Sequence, residues 1–208
     1  MLTFALSKGR LADKILDMLR KLELCDLTIE DDDRRLVVEA GNYRFYLAKP
    51  SDVPTFVDSG VADLGVVGKD TIIEEKRDIA ELLDLGFGKC RMCVCGKVSD
   101  GDKYKYISNL RVATKYPHIA KEYFDSIDQN TTIIKLNGSV ELGPIVGLSD
   151  VIVDIVESGR TLKENGLEPA TVIADLSCRL VINNASLKTK YNEISNIVQG
   201  FENIIKES

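Results

Sequence analysis

GLSDVIVDIVESGRTL, residues 147–162, is the stretch of this sequence from which an α/β fold is most clearly predicted. The apolar residues 151–153 predict a buried strand that delivers Asp154, and two more apolar residues lead into a polar turn at residues 157–161. LKENG, which follows, predicts a short helix. A strand, a turn and a helix in succession form the repeating unit of sheets that contain parallel strands.

The polar turn has the composition of a phosphate site. Its small residues let several backbone N–H groups point into one concavity, and the start of the following helix adds partial positive charge. The candidate phosphate-binding residues are Glu157, Ser158, Gly159, Arg160 and Thr161. Asp154, one strand length earlier, is placed to accept hydrogen bonds from the hydroxyls of an attached ribose. The turn therefore predicts a ribose 5-phosphate site, and an ordinary structural turn capped by serine is the alternative.

Two other turns also predict anion contacts. NGSVELGP, residues 137–144, frees backbone donors around Ser139 and places Glu141 in the first turn of a helix. ALSKGRL near the N-terminus sets Lys8, Gly9 and Arg10 between a strand and a helix, where side-chain charge and N–H dipoles favour the same ligand. A solvated pair of basic residues is the alternative for this second turn.

Strand-like runs recur along the whole chain and alternate with segments of helical period. GVADLGVVGKDTI, residues 60–72, has the same order of Gly, small residue, Asp, apolar strand and polar turn as residues 147–162. This repetition predicts two similar α/β halves, each offering a strand end to a common crevice, where ligands of parallel sheets bind.

Four local elements are also predicted. A helix with one buried face follows Gly9 and Arg10, and a last helix runs from residue 187 to residue 205. Residues 35–48 predict a hairpin around a Gly-Asn turn. Ser51 is expected to cap a short helix that ends at Asp58.

Composition narrows the class of protein. A formal charge of -6 over 208 residues argues against a nucleic-acid surface. Neither a membrane-spanning run nor a signal peptide is predicted from the sequence. Five cysteines without an export signal suit a reducing, cytoplasmic compartment. KCRMCVC, residues 89–95, lacks a fourth ligand nearby and predicts a buried strand, so no metal site is expected. His118 is expected at a helix start without a catalytic role.

The quoted motifs, together with DVPTFVDSGVADLGVVGKD, RVATKYP and RLVINNAS in order, closely resemble the ATP phosphoribosyltransferases of histidine biosynthesis. The resemblance implies a two-lobed α/β fold similar to type II periplasmic binding proteins, each lobe a mixed, mainly parallel sheet flanked by helices. Lobe I would comprise residues 1–88 and 178–208, and lobe II residues 89–177. The implied reaction joins N1 of the adenine of ATP to C1 of phosphoribosyl pyrophosphate and releases pyrophosphate.

Site residues and partners follow from the same resemblance. It implies that residues 157–161 hold the 5-phosphate, that Asp154 or Glu141 is the negative group beside the ribose, and that Mg²⁺ is carried by substrate phosphates. Candidate contacts to ATP or pyrophosphate are Lys8, Gly9, Arg10, Lys49 and Ser139. The length resembles the short form of the family, a catalytic subunit that joins a regulatory partner related to histidyl-tRNA synthetase in a hetero-octamer.

Two other functions stay open at this point. One is a non-catalytic cytoplasmic sensor of a phosphorylated metabolite with the same two-lobed fold. The other is a phosphoribosyltransferase that acts on a different base, although Ile155 stands where that class usually has a second carboxylate after Asp154.

Overall fold

The computed structural model describes residues 1–29 and 34–207, and the chain divides into two compact units. Unit 1 comprises Met1–Gly88 and Ser177–Ser208, and unit 2 comprises Lys89–Leu176. The division falls one residue before the 177/178 boundary expected from the sequence, because Ser177 bonds within unit 1: its hydroxyl donates to Asp84 Oδ1 at 2.8 Å.

Strands and helices alternate along the described residues. The strands are β1 (Leu2–Ser7), β2 (Val37–Ala40), β3 (Tyr43–Ala48), β4 (Leu64–Gly68), β5 (Ile79–Asp84), β6 (Cys90–Lys97), β7 (Leu110–Thr114), β8 (Thr131–Lys135), β9 (Val151–Val156), β10 (Leu167–Leu176) and β11 (Cys178–Asn183). The α-helices are α1 (Arg10–Lys21), α2 (Val53–Asp58), α3 (Lys69–Glu75), α4 (Pro117–Ser126), α5 (Leu142–Ile145), α6 (Arg160–Glu164), α7 (Asn184–Thr189) and α8 (Tyr191–Lys206). None of the described helices is long and apolar enough to cross a membrane.

Each unit contains one mixed sheet. The strand order is β2-β3-β1-β4-β11-β5 in unit 1 and β10-β6-β9-β7-β8 in unit 2. In the described residues β1 is parallel to β3 and β4, β7 is parallel to β8 and β9, and the other pairings are antiparallel. The predicted mixed sheets are confirmed, with the parallel strands side by side in each sheet and fewer parallel pairings than the sequence indicated.

The two sheets share one plan, as the sequence repeat predicted. The order β3-β1-β4-β11-β5 in unit 1 corresponds to β8-β7-β9-β6-β10 in unit 2. In both sheets, read in this order, two parallel pairings are followed by two antiparallel pairings. Strand β2 is an addition at the edge of unit 1 and forms the predicted hairpin with β3.

An aspartate fixes the register at the equivalent point of both units. In unit 1 the Thr3 amide donates to Asp63 Oδ2 at 2.8 Å, and the Asp63 amide donates to Thr3 O at 3.0 Å. In unit 2 the Arg111 amide donates to Asp150 Oδ2 and the Asp150 amide donates to Arg111 O, both at 2.9 Å. Each aspartate thus ties the start of one central parallel strand to its neighbour.

Apolar side chains fill the core of each unit. In unit 1, α1 buries Ile15 and Leu19, and α8 buries Phe201, in the cluster that contains Phe4 and Phe45 of the sheet. In unit 2 the core includes the cysteines of β6, since Cys93 and Cys95 are fully buried. The prediction that KCRMCVC forms a buried strand is therefore confirmed.

Two local predictions are wrong. Ser51 does not cap a helix; it lies in a 3₁₀ turn, Pro50–Asp52, that precedes α2. A serine cap bonds an N–H two or three residues later. The Val53 N–H, two residues on, donates to Pro50 O, and Pro54, three residues on, has no N–H. The single last helix is two helices, α7 and α8, which meet at Lys190.

The break between α7 and α8 is tied to the register aspartate of unit 1. Lys190 Nζ and Ser186 Oγ each donate to the buried Asp63 carboxylate at 2.7 Å. Burial alone would raise the pKa of Asp63, but hydrogen bonds from Lys190, Ser186 and Thr3 outweigh it and hold that pKa below its ordinary value. The charged carboxylate therefore links β1, β4 and the C-terminal helices.

Replacing this carboxylate should destabilise the protein. We expect Asp63→Asn to lower the free energy of unfolding by about 2 to 4 kcal/mol at pH 7. Because the folded pKa is lowered, the carboxylate stabilises above its unfolded pKa of about 3.9, and this contribution is lost as the pH falls through the folded value. The gap between the wild type and the variant should narrow in urea unfolding at pH 3.

The matched control is Asp150→Asn, which removes the equivalent aspartate of unit 2. Its partner Arg111 is largely exposed, and exposed ion pairs contribute about 1 kcal/mol or less. A loss for Asp150→Asn equal to that for Asp63→Asn would contradict the role given to the buried Lys190 contact.

Candidate functional site

The strand that carries Asp154, β9, leads into the turn that the sequence predicts as an anion site. After β9, Gly159 adopts φ 73° and ψ 6° and is the N-cap of α6. A helix leaves its first-turn amides without intrahelical partners, and a glycine cap supplies no side-chain acceptor for them. The Arg160 amide approaches Ser158 Oγ at 3.4 Å. This end of α6 can therefore present backbone donors to an anion.

The Arg160 side chain is engaged along α6. Its Nε donates to Glu164 Oε1 at 2.8 Å, an exposed ion pair one turn apart. Arg160 is a predicted phosphate-binding residue, and the structure pairs its guanidinium with a carboxylate on its own helix. Exposed pairs of this kind are weak, so a bound anion can compete for the guanidinium.

Asp154 lies at the topological switch point of the unit 2 sheet. Strands β7, β8 and β9 run parallel, so their carboxyl ends share one edge. From β7 the chain reaches β8 on one side, and from β8 it returns to β9 on the other. Ligands of such sheets bind where the strand order reverses, outside the carboxyl ends. Asp154 lies in β9 just beyond its last pairing with β7, and the 157–161 turn follows the end of β9.

The Asp154 carboxylate is oriented by its own backbone. The Ile155 amide donates to Asp154 Oδ1 at 2.9 Å, and the side chain is partly buried. Across the antiparallel ladder Asp154 stands opposite Cys93. The carboxylate is thereby held at the sheet edge.

Glu141 and Ser139 come from the turn that follows β8. Ser139 has φ 49°, an uncommon left-handed conformation for a residue with a side chain, and Glu141 is the N-cap of α5. Burial raises the pKa of the Cys95 thiol, and the carboxylates of Asp154 and Glu141 raise it further. Both carboxylates thus act electrostatically on one buried thiol of unit 2.

The cationic candidates of unit 1 lie at the equivalent sheet edge. Ser7 pairs with Ala48 in the parallel ladder, so Lys8 to Arg10 after β1 and Lys49 after β3 begin at the same level. Gly9 has φ 97° and ψ -160°, a conformation that is essentially restricted to glycine, and it is the N-cap of α1. Lys8, Arg10 and Lys49 are exposed. The structure thus gathers the predicted residues into two groups, one in each unit.

One buried hydroxyl at the unit 2 edge was missed by the sequence reasoning. Thr114, the last residue of β7, is fully buried; its Oγ1 donates to Val153 O at 2.7 Å and accepts from the Tyr116 amide at 2.8 Å. A threonine at the end of RVAT is common in strands, so the sequence carried no signal for these contacts. His118 lies exposed in the first turn of α4.

The described residues offer no group of three or more His, Cys, Asp or Glu side chains that could hold a metal ion. Cys25, Cys90, Cys93, Cys95 and Cys178 are free thiols.

Comparison with known proteins gives a consistent result over the full chain. The sequence model of the family described as ATP phosphoribosyltransferase matches residues 49–203. The ATP phosphoribosyltransferase of Lachnospira eligens is 49% identical over 209 residues, 99% of this chain and 97% of the relative. The chain in the ATP phosphoribosyl transferase (HisG:HisZ) complex from Thermotoga maritima superposes with a TM-score of 0.86 at 34% identity, with 100% of both chains covered.

A more distant likeness concerns the fold alone. The probable amino-acid ABC transporter extracellular-binding protein of Bacillus subtilis superposes with a TM-score of 0.62 at 10% identity and covers 99% of this chain. The expected likeness to periplasmic binding proteins is confirmed at the level of fold.

The turn that carries Glu141 should be sensitive to one added methyl group. A Cβ at Gly143 would lie 2.5 Å from Ser149 Oγ and 2.9 Å from Ala113 Cβ. We expect Gly143→Ala to lower the free energy of unfolding by about 1 to 3 kcal/mol, because the close packing must shift. Gly138→Ala in the same turn, where a Cβ meets nothing within 4 Å, is the control. Equal thermal melting of the two variants would contradict the packing argument.

Proposed function

This chain belongs to the ATP phosphoribosyltransferase family, and on that premise we propose that the carboxyl edge of the unit 2 sheet holds the phosphoribosyl group during the transfer. The reaction is the first step of histidine biosynthesis: N1 of the adenine of ATP attacks C1 of phosphoribosyl pyrophosphate, and phosphoribosyl-ATP and pyrophosphate are formed. The observation that carries the site assignment is the position of Asp154 and the glycine-capped turn at the switch point.

The 5-phosphate is assigned to the turn at residues 157–161. Backbone donors at the start of α6, with the hydroxyls of Ser158 and Thr161, suit its charge and its several oxygens. The Arg160 guanidinium can leave its exposed pair with Glu164 to add a charged contact. Glu157, at the entry of the turn, is exposed and available to a ribose hydroxyl.

Two carboxylates are assigned to the reacting centre. As pyrophosphate leaves, C1 gains positive charge, and a negative group near the ring stabilises that transition state. Asp154 is held at the sheet edge by its hydrogen bond from Ile155 and suits the ribose hydroxyls. Glu141 is the second candidate, since it shares the electrostatic surroundings of Cys95 with Asp154. A ring nitrogen of adenine needs no strong base to attack, so positioning supplies most of the rate.

The cationic edge of unit 1 is assigned to ATP or pyrophosphate. Lys8, Arg10 and Lys49 supply positive charge, and Gly9 leaves the start of α1 without a side-chain cap. Ser139 of unit 2 is a further candidate for this role. These assignments rest on charge and on helix-end donors.

Mg²⁺ is proposed to enter with the substrate phosphates. The described residues form no cage of three metal-ligating side chains, and Mg²⁺ in phosphate chemistry is commonly held by substrate oxygens and water. When bound there, the ion neutralises charge on the departing pyrophosphate. The residues of this chain then need to bind the phosphoribosyl group and orient it.

A regulatory partner is also proposed. The Thermotoga maritima chain, which this chain matches over its whole length, belongs to a HisG:HisZ complex. We propose a similar partner, related to histidyl-tRNA synthetase, in a hetero-octamer. A cytoplasmic location suits such an assembly and a chain with five free thiols.

An activity assay tests the reaction and separates it from simple sensing. Incubation of the purified chain with ATP, phosphoribosyl pyrophosphate and Mg²⁺ should release pyrophosphate and form an adduct with altered ultraviolet absorbance, whereas other nucleobases should give no product. The assay is repeated with the histidyl-tRNA-synthetase-related protein of the same organism. Binding of both substrates without turnover in that mixture would support a sensor instead.

The phosphate assignment predicts a selective effect at Gly159. A valine there must adopt φ near 73°, which a β-branched residue resists, so the turn should distort. We expect Gly159→Val to weaken binding of phosphoribosyl pyrophosphate at least about tenfold in isothermal titration calorimetry.

Gly166→Val is the matched control, because Gly166 has φ 70° just after the other end of α6 and a Cβ there meets nothing within 4 Å. It carries a similar backbone strain away from the turn and should keep wild-type affinity. Equal affinities for the two folded variants would refute the phosphate assignment.

A further inference from the structure

Where β7 and β9 separate, a hydrogen bond from the Thr114 hydroxyl joins the two strands in place of a backbone hydrogen bond. Their parallel pairing ends at the level of Thr114 and Val153. There the hydroxyl donates to Val153 O at 2.7 Å, and because the Tyr116 amide can act only as a donor, the same oxygen accepts from that amide at 2.8 Å. One side chain thus fixes the peptide plane that precedes Asp154 and the backbone that enters α4.

The repeat within the chain shows that a hydroxyl is not required by the fold at this point. The register aspartates make Thr3 equivalent to Arg111 and Asp63 equivalent to Asp150. Counting three residues along β1 and β7 from these positions, Leu6 is the equivalent of Thr114, and it is fully buried. The same arrangement of strands therefore forms in unit 1 with an apolar side chain at this position.

The neighbouring strand shows the same contrast. Four residues after the register aspartates, Val67 of β4 is the equivalent of Asp154 of β9, and Val67 is buried. Unit 2 has two polar residues, Thr114 and Asp154, where unit 1 has two apolar ones. Burying a hydroxyl costs free energy unless it is fully hydrogen-bonded, so the polar pair is a specialisation of the sheet edge that carries the proposed site.

We propose that Thr114 is a positioning residue for the phosphoribosyl transfer: by holding the Val153 carbonyl, it sets the Asp154 carboxylate against the ribose of the bound substrate. This inference rests on the proposed role of Asp154. Asp154 Oδ1 already accepts from the Ile155 amide, so the orientation of its carboxylate follows the backbone on either side of it. Thr114 holds the peptide between Val153 and Asp154, and the Ile155 amide belongs to the peptide that follows Asp154.

A merely structural role for Thr114 makes a different prediction. Loss of the hydroxyl would then lower thermal stability, and the folded fraction would bind and react normally. A positioning role instead predicts a loss that is specific to phosphoribosyl pyrophosphate and that depends on Asp154. Small displacements of a group that orients substrate can reduce rates by about 100-fold.

The test uses Thr114→Val, which keeps the size of the side chain and removes the hydroxyl, and Thr114→Ser, which keeps the hydroxyl. The full chain is assayed with its regulatory partner, and binding is measured by calorimetry. We expect Thr114→Val to weaken phosphoribosyl pyrophosphate binding or to lower kcat by about 10-fold to 100-fold. Thr114→Ser should restore both to within about threefold of the wild type, and ATP binding should change less than about twofold.

Thr131→Val is the control for loss of a threonine hydroxyl. Thr131 begins β8 and pairs with Leu110, at the amino end of β7 and four residues from the level of Thr114. Its Oγ1 is buried without a hydrogen-bond partner among the described residues. This variant should keep wild-type binding and kcat. If Thr114→Val does not fold, Thr114→Cys takes its place, because a thiol is similar in size and a weak donor.

A double-mutant cycle completes the test. It adds the single variant Asp154→Asn and the double variant that combines Thr114→Val with Asp154→Asn. If Thr114 acts through Asp154, the double variant should be no worse than Asp154→Asn alone. Wild-type binding and kcat in the folded Thr114 variant, or losses that simply multiply, would overturn the positioning role. Wild-type behaviour of Asp154→Asn would instead overturn the proposed site itself, which keeps the two failures distinct.

Discussion

The exchange of hydrogen bonds between an aspartate and the start of a neighbouring strand fixes the register on which both units depend. Asp63 holds Thr3, and Asp150 holds Arg111, through the same pair of backbone contacts. A slip of one residue would turn every side chain of a strand to the opposite face of the sheet. The register is set at the amino ends of the central strands. It therefore also fixes which residues lie side by side at their carboxyl ends.

The same arrangement of strands carries different residues in the two units. Cations follow β1 and β3 of unit 1, whereas β9 of unit 2 carries a carboxylate and leads into a glycine-capped turn. In the proposed function the cations meet substrate phosphates, and the carboxylate meets the positive charge that the sugar gains in the transition state. The difference between the units lies in a few residues after equivalent strands, while the apolar cores maintain the shared framework.

Much of this could be predicted from the sequence because it depends on local pattern. The apolar runs and the Gly-Asn turn located strands, and the spacing of Asp154 from Gly159 located the turn. Contacts between distant residues could not be predicted in this way. The α7 to α8 break lies at Lys190, which contacts Asp63, 127 residues away, and the role proposed for Thr114 depends on Val153, 39 residues away. The Ser51 cap failed because the Val53 N–H is taken by Pro50 O and Pro54 has no N–H; the missing donor at Pro54 could have been noticed in the sequence.

The position of β11 also has a consequence for how the protein is made. Unit 2 is one continuous stretch of chain, whereas β4 and β5 of unit 1 are joined in their sheet by β11, which begins only at Cys178. During synthesis the nascent chain can complete unit 2 while the first sheet still has a gap between two of its strands. Until the ribosome has added this strand, the facing edges of β4 and β5 stay unpaired, and unpaired edges are the surfaces through which incomplete chains aggregate.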